Sequence, residues 1–285
     1  MSIIEKAAGR LAQAESKAAA EPATSVPNEH TSDSRPDTVA STQARSTSKR
    51  VELNLAKLHE AGMVTPDGGR SSVAEEFRAI KRTLIQQALE KSDDPTKPNN
   101  LIMVTSSLPS EGKTFCSINL AISIAMELDH TVLLVDADVA RPSILRSLGL
   151  TAQGGLMDIL LERKRDVADV LLKTNVDTLS ILPAGTTHHH STELLASQAM
   201  SKLLHEIANR YPDRIVIFDS PPLLLTTEAR VLASQMGQIV LVVEGEKTTQ
   251  NALKNALRQI ESCPNLSLIY NKAKAFAGKE YGYYY

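Results

Sequence analysis

The stretch "SSLPSEGKT" at residues 106–114 holds a glycine, a lysine and a threonine in the order that binds phosphate. The usual form is G-x-x-x-x-G-K-[ST]; here Ser107 stands at the first glycine, while Gly112, Lys113 and Thr114 match. The mechanism survives that departure. Loop amides and a helix N-terminus cradle phosphate, Lys113 reaches the β/γ oxygens, and Thr114 offers a hydroxyl to Mg²⁺. The nucleotide-binding segment is therefore read as Ser110, Glu111, Gly112, Lys113, Thr114 and Phe115. Carboxylates end two further apolar runs: Asp136 and Asp138 in "TVLLVDADVARP", and Asp219 in "RIVIFDSPP". One such Asp commonly caps the next helix. Three of them in a phosphate-loop protein point instead to hard oxygen ligands for a metal held against phosphate, with Thr114, Asp136, Asp138 and Asp219 as the candidate set. The chain closes on "KEYGYYY", which places Tyr281, Tyr283, Tyr284 and Tyr285 in its last five residues.

Elements must bring these groups together. "LIMVTSS", "TVLLVDAD", "TLSILPAG", "RIVIFDS", "QIVLVVEG" and "LSLIYNK" read as strands. Their Val, Ile and Leu run without polar alternation, so both faces are buried, as in a parallel sheet flanked by helices. The expected fold is α/β, a P-loop NTPase whose ligand sits at the carboxyl ends of the strands. Ahead of it, "SSVAEEFRAIKRTLIQQALEK" sets Val73, Phe77, Ile80, Leu84 and Ile85 on one helical face. Residues 2–15 carry Ile3, Ile4, Ala7, Ala8 and Leu11 at helical spacing, a short amphipathic helix. Residues 16–50, rich in Ala, Ser, Thr and Pro, read as a disordered linker. The domains expected are thus 1–50, a globular 51–272, and a flexible tail at 273–285.

Composition narrows the partners. The 285 residues carry 31 basic and 33 acidic side chains, a formal charge of -2, so there is no global pull toward nucleic acid or anionic lipid. Cys116 and Cys263 lie far apart and fit a reducing compartment. No apolar run reaches the ~18 residues of a membrane span, and "MSIIEKAAGR" lacks the apolar core of a secretory signal. A cytosolic protein is expected. The triplet His188, His189 and His190 falls in a loop, where neighbouring histidines rarely close a metal shell.

These motifs together resemble the bacterial tyrosine kinases of polysaccharide export loci, P-loop proteins related to the Min and Par ATPases. "VTSSLPSEGKT" resembles the family's Walker A, "LLVDADVARP" its second motif, "IVIFDSPP" its Walker B, and "EEFRAIKR" its E-x-x-R-x-x-R oligomerisation motif. "MSIIEKA", "GMVTP" and the D-x-D-x-x-R spacing resemble the branch of exosortase-associated loci, where the kinase is a separate cytosolic chain. The resemblance implies ATP and Mg²⁺ as cofactors, Lys113, Asp136 and Asp138 as catalytic groups, and Tyr281, Tyr283, Tyr284 and Tyr285 as phosphoacceptors. It implies Glu75, Arg78, Lys81 and Arg82 as a ring contact between copies. It further implies an inner-membrane co-polymerase or chain-length protein as anchor and activator, a cognate tyrosine phosphatase, and a peripheral place at the inner membrane.

Two positions depart from that pattern. Arg141 comes one residue late for D-x-D-x-R, and Lys81 stands where the oligomerisation motif has arginine, whose bidentate fork lysine lacks. A tyrosine hydroxyl, with a pKa near ~10, needs a base, and Asp136 is the first candidate for that or for orienting the phenol. Either Asp136 or Asp138 could bind Mg²⁺, directly or through water. From Ala273 the tail spans at most about 40 Å, enough to reach a neighbour's site. The rival reading is a Min- or Par-like P-loop ATPase acting as a nucleotide-dependent positioning or adaptor protein. Those proteins carry a lysine at the start of the phosphate loop, and 101–111 has none.

Overall fold

The computed structural model describes residues 48–162, 165–211 and 213–273. The helix expected at 2–15, most of the linker and the tyrosine cluster lie outside the described residues.

Eight strands form one sheet: β1 (Lys49–Arg50), β2 (Leu101–Ser106), β3 (Thr131–Asp136), β4 (Leu172–Lys173), β5 (Leu179–Leu182), β6 (Arg214–Asp219), β7 (Gln238–Glu244) and β8 (Asn265–Asn271). Their order is β1-β4-β5-β3-β6-β2-β7-β8. Every neighbouring pair is parallel except β4 with β5. All six strands expected from sequence are present, but β8, at the edge of the sheet, leaves Leu266, Leu268 and Tyr270 exposed instead of burying both faces. The long apolar runs of the inner strands allow burial on both faces, because successive side chains point to opposite faces. Leu101, Met103, Leu133, Val135, Val216, Phe218, Ile239 and Leu241 enter one core. Ile102, Val104, Val132, Leu134, Ile215, Ile217, Val240 and Val242 enter the other. Each fully buried side chain of this kind contributes about 1.5–3 kcal/mol.

Among the described residues ten helices cover the faces: α1 (Leu55–Glu60), α2 (Ser72–Leu89), α3 (Lys113–Ala125), α4 (Ile144–Leu148), α5 (Leu156–Leu161), α6 (Val167–Val170), α7 (Ser191–Leu195), α8 (Gln198–Asn209), α9 (Thr227–Ala233) and α10 (Gln250–Gln259). The first four serve the second core, and α5 to α10 serve the first. Helix α2 starts where the Ser71 hydroxyl accepts the Ala74 N–H at 3.1 Å. It buries Phe77 and Leu84 and half-buries Val73, Ile80 and Ile85, the face read from sequence. None of the described helices is long and apolar enough to cross a membrane.

The linker reading ends too late. Lys49 and Arg50 pair with Leu172 and Lys173 as β1, and the Val51 N–H donates to the Lys173 carbonyl at 2.8 Å. Strands this short and charged leave no periodicity to read.

Candidate active site

The site is built where β2, β3 and β6 end together. Asp136 and Asp219 are register partners across β3 and β6, and Val104 of β2 pairs with Asp219. Parallel strands thus deliver two carboxylates and the phosphate loop to one edge of the sheet.

The loop turns sharply into α3. Gly112, the residue before the helix, has φ +99°, and Ser110 holds φ +67° without being glycine. Glu111, counted among the nucleotide-binding residues, is buried. Its carboxylate accepts the Leu108 N–H at 2.8 Å and the Thr248 hydroxyl, so it braces the loop from inside. Ser107, at the missing-glycine position, is fully buried and its hydroxyl has no partner among the described residues.

Lys113 starts α3, with its ammonium 2.8 Å from Asp138 Oδ2 and 3.9 Å from Asp219 Oδ1. The Thr114 hydroxyl donates to Asp219 Oδ2 at 2.7 Å and lies 2.8 Å from the Ser143 hydroxyl. Ser117, one turn on, donates to Asp219 Oδ1 at 3.1 Å. Burial pushes the Asp219 carboxyl up, while Lys113 and the two hydroxyls oppose that rise. Asp138 also accepts the Arg141 N–H at 3.2 Å. Lys113, Thr114, Asp138 and Asp219 are therefore one contact network.

Asp136 stands beside that network. Its Oδ2 accepts the N–H groups of Ser143 and Ile144, each at 3.0 Å, fixing the start of α4. Its Oδ1 is buried without a partner among the described residues. Burial, then the neighbouring Asp219 charge, pushes the carboxyl up to about 7. The phosphate loop opens on a cavity of about 740 Å³ whose lining includes Lys113, Thr114, Phe115, Asp138, Arg141 and Arg146. Asp136 instead lines a second cavity, of about 390 Å³, with Pro142, Leu145, Gly154 and Gly185. Pro142 sits between Arg141 and Ser143 of the first cavity, so the two share one loop.

The donor set suits Mg²⁺. Thr114, Asp138 and Asp219 offer hard oxygens beside a phosphate cradle, and Asp136 Oδ1 is a buried acceptor lacking a donor. Among the described residues, no three His, Cys, Asp or Glu side chains converge to hold a metal unaided. Such a site takes one or two protein ligands and completes the shell with phosphate and water.

The remaining candidates are elsewhere. Glu75 and Arg78 pair with each other along α2. Lys81, expected at a contact between copies, is buried. Its ammonium donates to the Ser123 carbonyl at 2.7 Å and pairs with Glu127 at 2.5 Å, tying α2 to α3 within one chain. That hydrogen bond holds the Glu127 carboxyl low. Arg82 is exposed. His188 and His189 stack at 4.4 Å, and His190 lies 3.8 Å from Glu193. Cys116 is buried, its thiol pushed up to about 12 by desolvation, which makes it unreactive.

Sequence reasoning missed Arg146, Ser143, Thr248, Asn271 and Lys272. The last two sit at the end of β8, an edge strand with Leu266, Leu268 and Tyr270 exposed, and strand order rather than local pattern brings them to the loop.

Comparison with known proteins supplies the family. Residues 100–271 match the model of the AAA domain family. The tyrosine-protein kinase YwqD of Bacillus subtilis is 30% identical over 217 residues, 75% of this chain and 87% of that protein. The chain belongs to the bacterial tyrosine kinases. The VpsO kinase domain superposes with a TM-score of 0.62 at 26% identity, covering 77% of this chain and 98% of that one. The kinase domain of the Escherichia coli tyrosine kinase ETK gives 0.61 at 26%, covering 76% and 83%. This kinase thus has the fold expected from sequence, a P-loop fold of the nucleotide-binding kind.

Proposed function

We propose that the kinase transfers the γ-phosphoryl group of MgATP to its own C-terminal tyrosines, Tyr281, Tyr283, Tyr284 and Tyr285, between copies of the chain. In this reading the loop amides and Lys113 hold the phosphates. Thr114, Asp138 and Asp219 hold Mg²⁺, which when bound neutralises phosphate charge. Asp136 Oδ1 accepts the proton of the incoming phenol or orients it.

The observation that carries the proposal is that buried oxygen, unpartnered among the described residues, on Asp136, a residue lining a cavity that shares a loop with the phosphate cavity. A site serving only the nucleotide has no need of a second cavity with a proton acceptor in its wall. The division of roles follows geometry, since Asp138 is in contact with Lys113 and Asp136 is not. Four phosphotyrosines, each of about -1.5 to -2, would repel one another strongly and loosen an assembly of copies, a ring in this reading.

The biological setting proposed is control of exopolysaccharide polymerisation and export. The kinase would sit in the cytoplasm and meet the inner membrane through a co-polymerase or chain-length protein that anchors and activates it, with a cognate phosphatase resetting the tail. Supporting this, the relatives include Wzc of Salmonella typhimurium, a tyrosine-protein kinase 29% identical over 234 residues.

A mixing assay tests the transfer between copies. A Lys113→Met chain with an intact tail is incubated with MgATP and a chain whose four tail tyrosines are Phe. Phosphotyrosine should appear on the Lys113→Met chain in the mixture and on neither chain alone. Phosphate on the isolated Lys113→Met chain would remove Lys113 from the chemistry, and none in the mixture would remove transfer between copies.

A further inference from the structure

The last described strand reaches back to the phosphate loop. Asn271 Nδ2 donates to the Glu111 carbonyl at 2.8 Å, and Lys272 Nζ donates to the Ser110 carbonyl at 2.7 Å. These bonds join residues 160 and 162 positions apart in the chain. Lys272 is held in turn by Glu244 of β7 at 3.3 Å. Both ends of the Lys272–Ser110 bond are in the left-handed region, at φ +55° and φ +67°, which L side chains rarely adopt.

We infer that Asn271 and Lys272 are positioning residues of the phosphate site, which aim the loop's N–H groups by holding its carbonyls. In a trans peptide the C=O and N–H point in opposite directions. Drawing the Ser110 and Glu111 carbonyls toward β8 therefore turns the N–H groups of Glu111 and Gly112 the other way, the orientation an anion cradle needs. Gly112 carries independent evidence of the clasp. A Cβ at that position would lie 2.0 Å from Asn271 Nδ2, so the glycine leaves room for the amide as well as for its own positive φ. Lys272 also lines the phosphate cavity, but its ammonium is engaged by Ser110 and Glu244. Its part is to shape the cradle.

The inference rests on nucleotide binding as proposed above, and the test separates it from tyrosine transfer. MgADP affinity is measured by calorimetry on the full chain for the wild type, Lys272→Met, Lys272→Arg and Asn271→Ala, beside the nucleotide-free melting temperature of each. Losing one such hydrogen bond should weaken MgADP about three- to tenfold. The melting temperature should stay within about 2 °C, and Lys272→Arg should recover most of the affinity. In a phosphorylation assay the KM for ATP should rise with kcat little changed. Wild-type affinity in both Lys272→Met and Asn271→Ala, or an Arg variant as weak as Met, would overturn the inference. So would weakening matched by an equal loss of melting temperature. A wild type that binds no MgADP would overturn both this and the proposed function. Wild-type binding weakened as expected by the variants, with no transfer, would sink only the kinase chemistry.

Discussion

The two flanks of the phosphate loop are built on opposite principles. Toward β3 and β6 stand Asp219, bonded to Thr114, and beside it Asp136, both buried with their proton affinity raised, with Asp136 Oδ1 lacking a partner among the described residues. Toward β7 and β8 it meets Thr248, Asn271 and Lys272, each giving a hydrogen bond to the loop. The first flank holds unfavourable carboxylate electrostatics that a bound cation would relieve, and the second holds the loop still. Chemistry and positioning are thus divided between the two sides of one turn.

The largest effect that separates the flanks is on turnover. Asp136→Asn keeps an acceptor for the Ser143 and Ile144 amides but removes the proposed base, so single-turnover phosphorylation should slow at least about 100-fold. MgADP affinity should change little, which calorimetry would show. Gly112→Ala attacks the other flank. The strained φ and the contact with Asn271 should cost about 1–3 kcal/mol, read as a fall of roughly tenfold or more in MgADP affinity. Lys81→Met lies outside both flanks and keeps the side-chain length, but leaves the Ser123 carbonyl and Glu127 without their donor. A loss of about 1–3 kcal/mol, about 2–4 °C per kcal/mol in thermal unfolding, is expected, with MgADP affinity unchanged.

The smallest effect concerns pH. In the native, metal-free chain Asp136 keeps its proton up to about pH 7, whereas an unfolded Asp loses it near ~4. Between those values the native state holds the extra proton, so this group's contribution to stability falls as pH rises. In EDTA, Asp136→Asn should therefore unfold at a higher temperature than wild type at pH 8. The gap should close as the pH approaches 4, where wild-type Asp136 is neutral too. An equal gap at both pH values would show that the buried charge is not what the variant removes.

Much of the placement of the carboxylate flank was legible in the sequence, because apolar strands ending in Asp must set those carboxylates at one edge of a parallel sheet. The contact of Lys113 with Asp138 and Asp219 follows from that placement. The positioning flank was not legible. Asn271 and Lys272 contact the loop only because β8 lies beside β7 and β7 beside β2, an adjacency that strand order sets and local pattern does not show. Lys81 was misplaced for a related reason. A charge within an apolar helical face reads as exposed unless its partners are known, and Ser123 and Glu127 lie on and just beyond another helix. The two-residue strands β1 and β4 carry three basic residues among their four and gave no apolar run at all.

The central claim is that the two flanks serve phosphoryl transfer to the chain's own tail. Its most direct test is mass spectrometry of the C-terminal peptide after incubation of the purified chain with MgATP. Phosphate on one or more of Tyr281, Tyr283, Tyr284 and Tyr285, absent from Lys113→Met and greatly reduced in Asp136→Asn, is the expected result. An unmodified tail from a wild-type chain that binds MgADP and phosphorylates other tyrosines would contradict it.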